Sequence, residues 1–553
     1  MLTADQIEAL RIRAGQITDP VIEFLITDIA QRIAEAGQLT STASYQIWRA
    51  QHLGLSQRQL KKELRKRLKV SHRELRKLLT QAAELGYDFD IKRFPFVQAV
   101  PFIRNESLQK IVNTAIEQAG EELTNLTQTM GFVTYDGVAT ELTEAYQKSC
   151  DFAFEKVITG AQDYNSAIRD ATRGLAEKGI LTLDYESGVH RSLEAAVRGN
   201  IMGGLGLMQE RISQHNHDEL GCDGWEISAH MASAPDHEPI QGKQYSDAAF
   251  MRLNNSLLRR IGTLNCGHSA MPIILGVNSP QYTDDELDEM RQENEKGIDY
   301  NGKHYTQYEA TQRQRALERS VRKQKRRILI DESQNDKERL LIDQTKYVVI
   351  GDEYKRFTKA AGLRIQRERM NVHGFGPRQA VTAEKDTNKA HFDWLKSIGA
   401  ENTSLNTLDK FYEAKYNNSP EYQLLNQYSN DVKTGWISPL SGFDNYQTLH
   451  SRIQNEIVGR TAANGIEIKG QVPHFMQRVI GTMVDPEKLK RELKVIRRSG
   501  VEFDDIKAAI FSPEEIGSVL VRKSGKRSVK LIGKKCAVSI NPDTGELIQT
   551  NPL

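Results

Sequence analysis

Apolar residues Ile22, Leu25, Ile26, Ile29 and Ile33 recur at three- and four-residue spacing, which sets them on one face of a helix. Cap-type residues Thr40, Ser41 and Thr42 interrupt that stripe, and a second helix is expected over 42–53. Leu60, Leu64 and Leu68, then Leu75, Leu78 and Leu79, mark the apolar faces of a helix pair over 56–80. The helical period goes on through 108–129, 137–159, 164–178 and 190–213, with Gly179 as a C-cap. At Gly221 the texture changes. Two polar loops containing His and Cys surround a short strand expected at 225–229. An acidic run, a Tyr-rich hairpin (IDYNGKHYTQYEA), a charged helix from 311 to about 347 and another over 352–369 follow. Residues 371–445 are polar and turn-rich, and 376–437 reads as a linker. Beyond it, a helix and short alternating segments (GSVLVRK, SVKLIG, KCAVSINP, ELIQTNP) predict a compact α+β domain over 438–553.

The expected fold is therefore multidomain. A mainly α N-terminal two thirds contains a loop-rich α+β insert, and a small α+β domain closes the chain. The divisions fall at 1–220, 221–375, 376–437 and 438–553. A length of 553 residues agrees with roughly three to four domains at about 150 residues each. No apolar stretch of about 18 residues occurs, so no membrane span is expected, and the N-terminus does not read as a signal peptide. Four scattered cysteines, Cys150, Cys222, Cys266 and Cys536, speak against a disulfide scaffold.

Lys+Arg 75 against Asp+Glu 73 leaves a net charge of only +2. That total conceals segregation. Ten Lys and Arg between Arg58 and Lys77 face Glu63 and Glu74, a net of +8, and eight between Arg313 and Arg327 face Glu318 alone, a net of +7. Each run is either a solvated helix face or a patch for DNA or an acidic protein.

His230, His237, Cys266 and His268 form the first candidate site. Imidazole and thiolate are the ligands that zinc prefers, and two polar loops would gain stability from a shared structural zinc ion. The spacing matches no standard zinc module, so a hydrogen-bonded polar knot, with Asp236 or Gln241 orienting the rings, is the other reading. GGLGL at 203–207 follows no strand and is not expected to cradle phosphate. His215 and His217 read as solvated loop residues, and Trp225 as a core residue beneath the Cys/His loops.

The segments LITDIAQRIAEAGQLTSTASYQIWRAQHLG, SAHMASAPDHEPIQGKQYS, IGTLNCGHSAMPIILGV and YEATQRQRALERSVRKQKR, in that order over about residues 1–374, resemble the phage minor capsid protein 2 family. The resemblance implies a minor head protein of a tailed phage or prophage, found in the virion and, during assembly or after ejection, in the host cytoplasm. Its implied partners are the portal and major capsid proteins, with packaged DNA contacted through the two basic helices. The tail, through KGQVPHFMQRVIGT, FDDIKAAIFSPEEI and CAVSINPDTGELIQTNPL, resembles the phage-borne domains grouped with barnase, EndoU, colicin E5/D and RelE. Many of those are metal-independent RNases, which implies a host RNA substrate; the alternative is an inactive binding module. RNA cleavage without metal needs a base, an acid and cations for phosphate. His474 can act as base or acid. Arg478, four residues on, shares its face in a helix, and both fall where the family's motif has them. Arg527 and Lys530 on an expected strand offer charge to phosphate, Thr544 a hydroxyl, and His450 is a second candidate acid or base.

Overall fold

The computed structural model describes residues 4–95, 97–183, 190–262, 267–482, 498–522 and 525–553. It divides into two compact units, residues 1–383 and 384–553. The chain is multidomain and α-rich, with small sheets in both units and its largest sheet near the C-terminus.

The first unit opens with α1 (Ala4–Gln16), α2 (Asp19–Gly37) and α3 (Thr42–Lys92). The isoleucine stripe places α2 at the centre: Ile22, Leu25, Ile26, Ile29 and Ile33 are all buried. Each such side chain stabilises by about 1.5–3 kcal/mol. The helices expected separately over 42–53 and 56–80 are one continuous helix, α3. No proline lies in the segment, and Gly54 costs only about 1 kcal/mol in a helix. Tertiary anchors hold α3 in place: Leu75, Leu78 and Leu79 are buried, Arg67 lies over the Phe24 ring, and Ser71 Oγ donates to Ile17 O at 2.8 Å.

Helices α4 (Glu106–Gln128), α5 (Leu142–Ile158), α6 (Tyr164–Lys178) and α7 (Leu193–Glu219) complete the bundle. Short antiparallel strands, not seen in the helical pattern, join them: β1 (Met130–Val133), β2 (Ala139–Glu141), β3 (Leu181–Leu183) and β4 (His190–Ser192), in the order β2-β1-β3-β4. Gly174 of α6 lies directly against Val133 O, where any Cβ would clash. The glycines at 203–206 lie inside α7, away from any strand-to-helix turn.

Next come the sheet β6-β5-β7, from β5 (Gly224–Ile227), β6 (Gln244–Ser246) and β7 (Ala270–Ile273), and the helix α8 (Asp247–Ser256). The β5 strand falls where one was expected. Arg93, just after α3, meets fully buried Glu226 on β5 at 3.1 Å, so residues 221–375 belong to the same compact unit as the helices before them. The acidic run is α9 (Asp284–Lys296), whose capping box of Thr283 and Glu286 and first-turn acids suit the helix dipole. The hairpin β8 (Ile298–Tyr300) and β9 (Lys303–Tyr305) turns at Asn301-Gly302, both at positive φ as a tight two-residue turn requires.

The second basic run lies in α10 (Gln307–Gln334). The helix stops there rather than near 347, because Asn335 takes a left-handed conformation (φ +56°) and Asp336 caps α11 (Lys337–Ala360). The expected outward display of these cations is not what the fold does. Arg326 lies between Glu23 (3.3 Å) and Glu194 (3.0 Å), Arg322 takes the other oxygen of Glu194 at 2.6 Å, and Arg327 and Arg339 reach Asp343 at 3.8 and 3.1 Å. Arg313, Arg319 and Lys323 remain exposed.

The second unit takes in most of α12 (Pro377–Ser397), then α13 (Leu408–Tyr416), α14 (Pro420–Lys433), α15 (Phe443–Glu456) and α16 (Pro473–Ile480). Residues 376–437, expected as a linker, thus hold helices. Their Leu395, Leu424, Leu425 and Tyr428 join Phe443, Tyr446, Phe475, Phe503, Leu531 and Val538 in a single core. The sheet runs β10-β17-β16-β15-β13, from β10 (Gly470–Gln471), β13 (Glu515–Ile516), β15 (Arg527–Ile532), β16 (Cys536–Ile540) and β17 (Glu546–Pro552). Two short pairings remain: β14 (Leu520–Val521) lies against β15, and β11 (Gly481–Thr482) against β12 (Arg498–Ser499). The helical pattern of VDPEKLKRELKVIRRSG over 484–500 lies mostly outside the described residues. No described helix is long and apolar enough to cross a membrane.

Despite burial, Arg322, Arg326 and Arg198 hold the Glu194 carboxyl below its ordinary value of 4.5. Its stabilisation is therefore present above pH 4.5 and is lost as pH falls through the lower folded value. Glu194→Gln is expected to destabilise the first unit by about 3–5 kcal/mol, since it strands buried guanidinium charge. The shift in the urea midpoint of that unit at pH 7 measures this; a change below about 1 kcal/mol would contradict it.

Candidate functional sites

The loops around β5 and β7 bring three of the four proposed ligands together. The rings of His230 and His268 stack at 4.3 Å, and those of His237 and His268 meet edge-on at 5.2 Å. Local bonds fix each ring. His237 Nε2 meets Arg259 O at 2.8 Å, His268 Nε2 meets Gln241 Oε1 at 3.0 Å, His230 Nδ1 meets Met231 O at 2.9 Å, and the Nδ1 atoms of His237 and His268 lie 3.4 Å apart. A tetrahedral zinc site needs lone pairs aimed at one point. Here His237 Nε2, His268 Nε2 and His230 Nδ1 are turned to carbonyl oxygens, and His230 Nε2 is buried with no hydrogen-bond partner among the described residues. No group of three or more His, Cys, Asp or Glu among the described residues is placed to hold a metal. Cys266 lies outside the described residues. The described side chains form the hydrogen-bonded knot, with Gln241 as its hub and Asp236 held by Arg259 at 2.6 Å. Burial, reinforced by the neighbouring His230 and His237, pushes His268 down to about 2, and burial also lowers His230.

Beside the knot lies a cavity of about 410 Å³ whose walls include α7, α8 and the β5–β7 sheet. His217, which the H-x-H pattern placed in a solvated loop, is in the last turn of α7 and buried. It stacks on Trp225 at 4.9 Å and 6°, and its Nε2 meets Asp247 Oδ1 at 2.9 Å. Sequence reading missed this pair. The available signal was a histidine on a helical period ahead of a Trp-bearing strand.

In the second unit, α16 places His474 and Arg478 on one face, one turn apart. Arg478 Nε donates to His474 Nε2 at 3.1 Å. The ring proton is then on Nδ1, which donates to Gln477 Oε1 at 2.8 Å, and Gln477 Nε2 donates to Asp431 Oδ1 at 2.7 Å. Burial pushes Asp431 up to about 6. Trp436 closes one side, with its ring edge-on to His474 at 5.7 Å. The other expected residues lie elsewhere on the sheet. Arg527 pairs with Asp543 at 2.6 Å, exposed Lys530 stands opposite Ser539, and Thr544 Oγ1 donates to Glu546 at 2.9 Å. None of these contacts involves His474 or Arg478. His450 is partly buried, which lowers its pKa.

The first basic run differs from the second. Lys62, Arg65, Lys66, Lys69, Arg73, Arg76 and Lys77 are exposed on α3, opposite its buried leucines. The side chains of Arg58 and Lys61 lie outside the described ones.

A family model described as phage minor capsid protein 2 matches residues 5–359. No curated protein and no solved structure shows significant similarity to the chain.

His268, neutral in the fold, gains a proton far more readily when unfolded, so the knot loses stability as pH drops below about 6.5. Lowering the pH from about 7.5 to about 5 is expected to cost the knot on the order of 2 kcal/mol of protection. Amide exchange over 228–241, corrected for its intrinsic pH dependence, reads this directly. Equal protection at both pH values would refute it.

Proposed function

Because the chain belongs to the phage minor capsid protein 2 family, we propose that it is a minor head protein that seats against the portal and major capsid proteins and holds packaged DNA along the outer face of α3. Family membership implies a place in the virion. The observation that carries the DNA reading is the exposed row Lys62, Arg65, Lys66, Lys69, Arg73, Arg76 and Lys77. Glu74 lies among them and pairs with Lys77 at 3.2 Å. A helix face of this kind meets phosphates without reading bases, and its affinity follows counterion release.

A second reading concerns the unit 384–553, which we propose cleaves RNA of the host after ejection. The Arg478–His474–Gln477–Asp431 chain supports it. A substrate phosphate that draws Arg478 toward itself frees His474 Nε2 to accept the 2′-hydroxyl proton, while Gln477 keeps the ring oriented. The 2′-oxygen bonds to phosphorus as the P–O5′ bond breaks, the leaving 5′-oxygen takes its proton from solvent, and Arg478 faces the developing phosphorane charge.

Two experiments on the full chain test these readings. Lys62→Glu, Lys66→Glu and Lys69→Glu combined are expected to weaken duplex DNA binding and to lower the slope of log affinity against log salt by roughly 0.9 for each phosphate no longer neutralised. Salt-independent binding, or binding untouched by the triple variant, counts against DNA contact through α3. The intact chain is expected to cleave RNA in chelator to 2′,3′-cyclic phosphate ends, and His474→Ala to slow this by about 100-fold or more. No cleavage, or cleavage at the same rate in His474→Ala, removes the nuclease reading.

A further inference from the structure

The inward-turned cations of α10 do more than neutralise carboxylates. Where α10 meets α1, α7 and the turn at 367–370, a cavity of about 230 Å³ is walled by six arginines, Arg11, Arg198, Arg315, Arg319, Arg322 and Arg369, and by only three glutamates, Glu8, Glu318 and Glu368.

The acids present are heavily shared. Glu8 serves Arg11 at 3.5 Å, Arg315 at 3.5 Å and Arg369 as well, while Glu318 is held by Arg369 at 3.1 Å. Glu194, behind the wall, is divided among Arg322, Arg326 and Arg198. Arg319 is exposed at the rim, with no carboxylate at ion-pair distance among the described residues. Burial also pushes Glu318 up to about 7, which removes part of the negative charge at neutral pH. Burial lowers Arg198, and the neighbouring Arg322, Arg319 and Arg315 add to this while Glu194 opposes it. Among the described residues, this concave site is lined by twice as many guanidinium forks as carboxylates.

We propose that this cavity binds a compact phosphate anion, either a free oligophosphate such as pyrophosphate or the 5′-terminal phosphate of a nucleic acid strand. Guanidinium pairs match phosphate oxygens in fork geometry, and a multiply charged phosphate offsets a surplus that a single carboxylate would leave largely uncovered. The cavity is smaller than the roughly 300–1,000 Å³ of pockets for drug-sized ligands, which favours the phosphate group over a whole nucleotide. This inference is independent of DNA contact through α3, which lies on other residues.

Titration calorimetry of the full chain with pyrophosphate tests it. Saturable binding at one site is expected, weakened at least about tenfold by Arg319→Glu and less by Arg319→Lys. Arg319 is exposed, so its variants are expected to melt like the parent; Arg198→Gln is a second variant expected to weaken binding. Lys66→Glu on α3 is expected to leave pyrophosphate binding unchanged. Competition by a 5′-phosphorylated oligonucleotide, and not by its 5′-hydroxyl twin, assigns the site to a strand end. Saturable binding with competition by neither assigns it to a free oligophosphate. No saturable pyrophosphate binding, binding indifferent to Arg319→Glu, or equal competition by both oligonucleotides would overturn the proposal.

Discussion

The carboxylate of Glu194, gripped by Arg322 and Arg326, is the constraint on which the first unit turns. Two charges removed from water cost several kcal/mol each, and only close, multiple pairing repays this. The network answers that demand unevenly. Glu194 keeps its charge, while burial pushes Glu23 and Asp19, packed beside it, up to about 7. One helix from each of three distant stretches, α2, α7 and α10, must be in register for the network to close. It therefore specifies how α10 lies on the bundle more than it adds net stability.

This arrangement gives the two basic runs opposite fates. On α3, leucines on one face seal against the bundle and leave the cations to water. On α10, Gln314, Glu318, Gln324 and Asp331 are buried alongside apolar residues, so the helix sits inside on polar contacts. The near-zero net charge of the whole chain conceals one displayed surplus and one largely internal one, both offset by carboxylates elsewhere.

Local patterns were legible where local physics decided them. The α2 stripe, the Asn301-Gly302 hairpin, the β5 strand and the C-terminal strand alternation all follow from spacing and turn chemistry. The inward turn of α10 was not legible, because Glu23 and Glu194 lie 303 and 132 residues from Arg326 in sequence and the helix taken alone reads as solvated. The end of α10 rests on a left-handed Asn335, a single-residue event inside a charged run. Helices over 377–433 were hidden because Leu424, Leu425 and Tyr428 are diluted by Asn, Gln and Ser. At the candidate sites, i,i+4 spacing sufficed to bring His474 to Arg478. Gln241 was among the residues expected to orient the histidines of the loops, and it does. The roles of Gln477 and Asp431 in orienting His474 depend on tertiary placement and carry no sequence signature.

The most direct measurement of the central claim, that α3 displays its charge to duplex DNA while most cations of α10 are turned into the first unit, is lysine acetylation footprinting of the full chain with and without duplex DNA. Lys62, Lys66, Lys69 and Lys77 should be protected by DNA, while Lys323 and Lys325 should react equally in both states. Protection of Lys323 and Lys325, with the α3 lysines unchanged, would contradict it.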